Sequence, residues 1–254
     1  SSIPAHRLGF FFAHQRHLDN CMKFILASQN SHKAQEFAQA LTSIQISPSP
    51  ITLDVDENGS TFIENARIKA RAFATALAQN AIADDSGLSV DALQGAPGIY
   101  SARYATLPPD IDPDPDRTAA NNRKLIRALA QTPPAQRTAH FTCALCLVIV
   151  APTDIQTTLE SPTLRAAAQF YNATGTPCPA SAPIADIARA EIAFEAHAYG
   201  TILDAPRGTA GFGYDPLFLS DDTHTTFAEL TCDQKLAVSH RGKAIERLRS
   251  LFAP

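Results

Sequence analysis

The chain lacks any apolar run approaching the about 20 residues that a membrane-spanning helix needs. It lacks an excess of positive charge: 21 Lys and Arg stand against 25 Asp and Glu, a net charge of −4. That balance argues against a nucleic-acid sheath, whose binding face would be basic. It lacks the even cysteine count of a disulfide scaffold, having five in 254 residues. Cys143-Ala-Leu-Cys146 has CxxC spacing, but no second pair completes a zinc site. That pair lies in a strand-like run, His140 to Val150, where residues three apart face opposite sides. Both are read as core thiols in a reducing cytoplasm. The GxxxxGK[ST] pattern of a Walker loop is also missing. Met22 is the only methionine and precedes a good first strand, so the natural start is expected at or near it. Residues 1–21 are then an extension without catalytic importance. Leu8 to Ala13 is apolar but too short for an export signal.

What is present fits one α/β domain: 45% hydrophobic and 18% charged residues, enough for a sizeable core. The pattern predicts a first strand over Lys23–Ala27 and a helix with Ala34, Phe37, Ala38 and Leu41 on one stripe. A Pro-rich link at 48–50 leads to a second strand over Ile51–Val55. A helix marked by Phe62, Ala66, Phe73 and Leu77 follows. A short apolar strand then ends at Asp84-Asp85-Ser86-Gly87. Leu107 to Asp116 reads as a loop and Asn121 to Ala130 as a helix. Phe141–Val150 and Ala193–Leu203 read as strands, and Ser239 to Phe252 as the last helix. Between the two strands, residues 151–190 are rich in Ala, Pro and Thr, with one helical piece at Pro183–Ala190. A connection that long is functional or mobile, and its removal is expected to leave turnover within about tenfold.

Strand ends in α/β proteins are where sites are built. Two adjacent carboxylates there are costly without a metal, cation or substrate to compensate them; an acidic turn is the plainer alternative. Ser28, Asn30 and Lys33 sit where a strand hands over to a helix, whose free N–H groups favour an anion. Ordinary capping would use the same residues. Asn65 and Lys69, four apart, share a helix face. Glu57 lies in an acidic loop before that helix, as turn chemistry or as a third carboxylate for a hard cation such as Mg²⁺. In Gly211-Phe-Gly-Tyr-Asp-Pro, glycines permit close backbone approach. Phe212 can stack on a planar base and Asp215 can accept from a ring N–H; the alternative is a tight turn with buried aromatics. Ser239 has the character of an N-cap, which would hold the donors His240 and Arg241 in the first helical turn.

In order the chain reads SQNSHK (28–33), FIENARIKA (62–70), ADDSGLSVDALQGAPGIYSARYA (83–105), GFGYDPLF (211–218) and FAEL…K…SHRGKA (227–244). This set resembles the Ham1/RdgB inosine triphosphate pyrophosphatase family, from about Met22 to the C-terminus. The resemblance implies an elongated central mixed β-sheet flanked by helices, in two lobes with a nucleotide cleft between them. It implies hydrolysis of ITP, dITP and XTP to monophosphate and pyrophosphate, Mg²⁺ dependence and a homodimer; the charge balance and the lack of an apolar span argue against a nucleic-acid or membrane partner. By likeness, Asp85 is the general base, and Glu57, Asp84 and Asp85 stand at the metal. Ser28, Asn30, Lys33, Lys69 and Ser86 would hold the triphosphate. Phe212, Gly213, Tyr214, Asp215, Lys235, His240 and Arg241 would form the base and sugar pocket.

The chain departs from the family pattern in the long 151–190 stretch, read as an insertion in one domain spanning 22–254. It departs again in Glu195-Ala-His-Ala-Tyr-Gly200, which keeps only the second of two glycines. Two alternatives are a Maf-type nucleotide pyrophosphatase and a non-catalytic nucleotide-binding module. The GFGYDP and SHRGKA blocks count against the first, and a water-activating carboxylate against the second. A HAD-type phosphatase would need DxD after its first strand, where Ser-Gln-Asn stands instead.

Overall fold

The structure is a computed structural model in which residues 21–28, 37 and 44–253 are described. Strands β1 (Lys23–Leu26) and β2 (Gln45–Pro48) pair in parallel. Helix α1 (Phe62–Leu77) leads into β3 (Ala81–Val90), and α2 (Arg117–Ala128) into β4 (Thr138–Ile149). Two short helices, α3 (Pro152–Glu160) and α4 (Pro162–Ala167), precede β5 (Ala168–Tyr171) and β6 (Pro177–Cys178). Then come β7 (Arg189–Ile202), β8 (Phe218–Ser220), α5 (Cys232–Val238) and α6 (His240–Leu251). One mixed sheet runs β2-β1-β3-β4-β7-β5-β6, with β8 on β7. β1 is parallel to β2 and β3, and β3, β4 and β7 are antiparallel.

The unbroken apolar run of β4 follows from burial on both faces. Cys143, Leu145, Leu147 and Ile149 join a core under α6. Ala144, Cys146 and Val148 join a second core under α1. The two cysteines therefore face opposite sides, as alternation predicts. Burial pushes the Cys146 thiol up to about 12, so it stays protonated and inert. Gly200 is needed where β8 meets β7, because a Cβ there would stand 2.2 Å from the Leu219 carbonyl oxygen.

Three expectations need correction, and a fourth falls outside the described residues. The second strand is Gln45–Pro48, not Ile51–Val55; Pro48 and Pro50 supply no N–H donors, and Ile51 lies exposed. The third strand does not end at the acids but runs through them to Val90, paired throughout with β4. The helical piece at 183–190 is only a short 3₁₀ turn, Ile184–Asp186, and the helices of that stretch open at Pro152 and Pro162, where proline suits the first turn. The helix expected around Ala34 to Leu41 lies outside the described residues except for Phe37, which is buried.

The 151–190 stretch is also no detachable appendage. It adds β5 and β6 to the sheet, and Ile155, Leu164, Phe170 and Ile187 are buried in the α6-side core. At about 1.5–3 kcal/mol for each large apolar side chain, those four contribute roughly as much as a whole domain's net stability of about 5–15 kcal/mol. Excision of 151–188 is therefore expected to abolish the cooperative melt followed by far-UV circular dichroism. A folded, active truncated chain would contradict this.

Candidate active site

The site is built on an open strand edge. β1 pairs with only two residues of β3, Ala81 and Ile82, and Ala27 N–H donates to the Ile82 carbonyl at 2.8 Å. Beyond that point the edge of β3 has no strand neighbour among the described residues until Ser89 bridges Pro97. Asp84, Asp85 and Ser86 lie in this gap. Gly87 follows, where a Cβ would meet Ser101 Oγ at 2.5 Å and the Gly98 carbonyl at 2.7 Å.

Strand alternation sends the two acids to opposite faces. Asp85 turns toward α1 and accepts from Asn65 Nδ2 at 3.1 Å. Asn65 is itself fixed, its Oδ1 accepting the Gly59 N–H at 2.8 Å. Asp84 turns toward α6 and is buried. Its Oδ2 accepts from Ser86 Oγ at 3.0 Å and lies 3.6 Å from the Arg241 guanidinium.

Helix α1 is positioned at its start by Thr61, whose hydroxyl accepts the Glu64 N–H, and by Glu64, which accepts the Ser60 N–H. The Ser60 hydroxyl and N–H, both donating to it, hold the Glu64 carboxyl below its usual range. One turn on from Asn65, Lys69 Nζ sits 3.0 Å from Glu57 Oε1 and donates to the Asp84 carbonyl at 3.2 Å. A cavity of about 280 Å³ is lined by Ser28, Glu57 and Lys69 with Asp54, Leu53 and Phe73 among others. Asn30 and Lys33 lie outside the described residues. Among the described residues no three His, Cys, Asp or Glu side chains group closely enough to hold a metal by themselves.

A second set of side chains forms an aromatic pocket wall. Ser239 Oγ accepts the Gly242 N–H at 3.1 Å and caps α6, as expected. His240 stacks on Phe141 with centroids 4.8 Å apart and rings 11° from parallel. Phe212 is 45% exposed, with Lys235 Nζ 4.8 Å and the Arg241 guanidinium carbon 5.9 Å from its ring centre. An exposed ring flanked by two cations is a platform for a planar, electron-rich ligand.

Some expected roles change. Asp215 Oδ2 accepts from the Phe212 N–H at 2.8 Å and from Lys235 at 2.5 Å, so this carboxylate first of all shapes the loop. Its burial pushes the carboxyl up, and Lys235 opposes that. Tyr214 does not face the pocket: the ring is buried in the core and its hydroxyl donates to the Ser101 carbonyl at 2.8 Å. Burial raises the Tyr214 phenol well above its usual range. Tyr214→Phe is expected to cost about 1 kcal/mol in chemical denaturation. A loss of nucleotide affinity at unchanged stability would return the side chain to the pocket. Arg241, expected at the base, also stands beside Asp84.

Sequence reasoning missed the residues that hold these loops. Asn121 accepts the Ala105 N–H and donates to the Ser101 and Ala102 carbonyls. Asn122 Nδ2 donates to the Gly213 carbonyl at 3.0 Å, tying α2 to the aromatic loop. The adjacent Asn pair inside a predicted helix is the signal that was there to follow, because Asn is a poor helix former unless its amide is used.

The Ham1 family model matches residues 24–251. The chain belongs to the Ham1 family. A dITP/XTP pyrophosphatase of Clostridium perfringens is 37% identical over 238 residues, covering 89% of this chain and 95% of that protein. One from Nitratidesulfovibrio vulgaris is 38% identical, with 90% and 94% covered. Among solved structures, a Ham1 protein from Coxiella burnetii superposes with a TM-score of 0.67 at 34% identity, covering 91% of this chain and 98% of that one. The Staphylococcus aureus Ham1 protein gives 0.65 at 32%, with 90% and 96% covered. The mixed sheet flanked by helices is thus the Ham1 arrangement.

Proposed function

We propose that this protein hydrolyses non-standard purine nucleoside triphosphates, dITP, XTP and ITP, to the monophosphate and pyrophosphate, clearing them from the nucleotide pool. The observation that carries this reading is the open edge of β3. There an amide-held carboxylate, Asp85, neighbours an ammonium bound to a second carboxylate, Lys69 with Glu57.

In this reading Asp85 accepts a proton from water as the water oxygen attacks the α-phosphorus. The α–β phosphoanhydride bond breaks and pyrophosphate leaves. Lys69, with Asn30, Lys33, Ser28 and Ser86, holds the triphosphate and offsets its charge. Mg²⁺ suits the hard oxygen donors of Glu57 and Asp85 when phosphates and water complete its shell; Asp84, first expected at the metal, faces α6 beside Arg241 instead. Bound there, Mg²⁺ would neutralise charge on the leaving pyrophosphate.

The base would stack on Phe212, beside Lys235 and the Gly213 backbone. His240 and Arg241 offer donors to the 6-oxo group of hypoxanthine or xanthine. Adenine presents a donor there and cannot accept from them, which disfavours it.

A homodimer belongs to the same reading. Exposed Tyr100 and Tyr199, 43% and 58% accessible, offer aromatic surface for such contact. Size-exclusion chromatography with light scattering is expected to give twice the chain mass, and a monomer would refute the dimer. No helix among the described residues is long and apolar enough to cross a membrane, and the five cysteines are thiols, as a reducing cytoplasm would leave them.

The test of the reaction is product identity. Anion-exchange chromatography after incubation with dITP is expected to give dIMP and pyrophosphate; dIDP and phosphate would overturn the reading.

A further inference from the structure

The face of β7 that lies under α1 carries a second charged cluster. Strand register sets Tyr171 opposite Arg189 and Gln169 opposite Glu191. On the other side it sets Val148 opposite Glu191 and Cys146 opposite Ala193. Glu191 is the acid at the centre, its side chain 1% exposed. Its Oε1 accepts from Arg71 Nε at 2.8 Å and from Arg189 Nε at 2.6 Å, and its Oε2 from Arg71 Nη2 at 2.8 Å. The guanidiniums of Arg71 and Arg189 lie 5.7 and 4.5 Å from the Tyr171 ring centre.

Arg67 joins them from one turn earlier on α1. Four residues apart, Arg67 and Arg71 lie on one face of that helix. Arg67 Nε is buried and has no hydrogen-bond partner among the described residues. The next acid on this face, Glu195, is four residues along β7 and 4.0 Å from His197 Nε2. At about 100° per residue, two positions put Lys69 on the far side of α1 from Arg67 and Arg71. The cluster is therefore distinct from the site at the β3 edge.

A carboxylate shared by two arginines can be a purely structural triad. Here a third guanidinium adds an unmet buried donor. Partly buried cations in excess are stabilised by an anion. Guanidinium forks match the oxygens of phosphate in a way that a lysine cluster does not. Arg71 and Arg189 keep 40% and 26% of their side chains exposed, so an anion can enter from solvent. Three positive charges against one bonded carboxylate leave an excess that suits a dianion.

We propose that Arg67, Arg71 and Arg189 form a second anion site that takes a phosphate-type dianion, with Glu191 and Tyr171 orienting two of the three guanidiniums. The dianion is free phosphate or pyrophosphate, or the phosphate of a nucleotide. This site does not depend on the reaction proposed above.

The test is calorimetric titration of the full-length chain with inorganic phosphate, pyrophosphate and a nucleoside monophosphate, without divalent metal. It uses wild type, Lys69→Met, Arg67→Met and the double variant. Lys69→Met weakens the β3-edge site and is expected to retain a binding event for at least one of the three. Arg67→Met should weaken that event roughly tenfold or more, the worth of one charged hydrogen bond. The double variant should lose it. Whichever probe binds identifies the source of the anion. The proposal is overturned if Lys69→Met binds none of the three, or if Arg67→Met leaves the isotherms unchanged. Arg189→Met serves as a second probe of the cluster. Should it fail to fold for loss of its Glu191 bond, Arg67→Met still decides, since its Nε has no partner to lose.

Discussion

Asp85→Asn is expected to lower kcat by about 10²–10⁴-fold while nucleotide binding persists. The substitution preserves shape and removes the only proton acceptor that this position can offer water. Asn65 donates to Asp85 Oδ2, and an asparagine there can still present its carbonyl oxygen to that donor. The helix start that fixes Asn65, from Gly59 to Glu64, is untouched. Lys69 and Glu57, which make the neighbouring charged pair, are untouched as well. Single-turnover rates with dITP, beside calorimetric binding of the same nucleotide, separate chemistry from affinity. Near-normal kcat would move the base role away from Asp85. Equal loss of rate and affinity would make this carboxylate a binding group instead.

Gly242→Ala should produce the second large effect, through packing. A Cβ at Gly242 would stand 1.5 Å from the Leu236 carbonyl oxygen and 2.6 Å from its carbon. Both are backbone atoms of α5, so nothing flexible can give way. The helices α5 and α6 must part, at a cost of about 3 kcal/mol. For a chain of this size that lowers Tm by roughly 6–12 °C. The consequence for the site is direct, because α5 carries Lys235 to Asp215 and α6 carries Arg241 to Asp84. A raised KM should accompany the lower Tm. An unchanged melting curve would show that the junction is softer than its geometry implies.

Much of this was legible before any coordinates. The CxxC pair was recognisable as core from strand alternation alone, and the two cysteines do join opposite cores. Ser239 was recognisable as a cap, and Asn65 and Lys69 as one face of a helix; both reach the acids of β3. What failed was local pattern without knowledge of neighbours. Asp84 and Asp85 end an apolar run, yet the strand continues because β4 pairs with it across the acids. Alternation also places the two carboxylates on opposite faces, which adjacency in sequence conceals. Residues 151–190 are rich in Ala, Pro and Thr and gave little periodicity. Their burial comes from the sheet edge they cover and from the α6-side core beneath. Tyr214 sits in the aromatic loop but faces inward, because Ser101 offers its hydroxyl a buried acceptor. The Glu191 cluster was invisible because its members come from α1, β5 and β7.

The most direct measurement is the initial rate of pyrophosphate release from dITP, ITP, XTP, ATP and GTP, with Mg²⁺ and after chelation. Fast release from the first three, slow release from ATP and loss on chelation are the predicted results. Equal rates on ATP and dITP would contradict the role given to His240 and Arg241. No pyrophosphate from any nucleotide would contradict the account of the β3 edge itself.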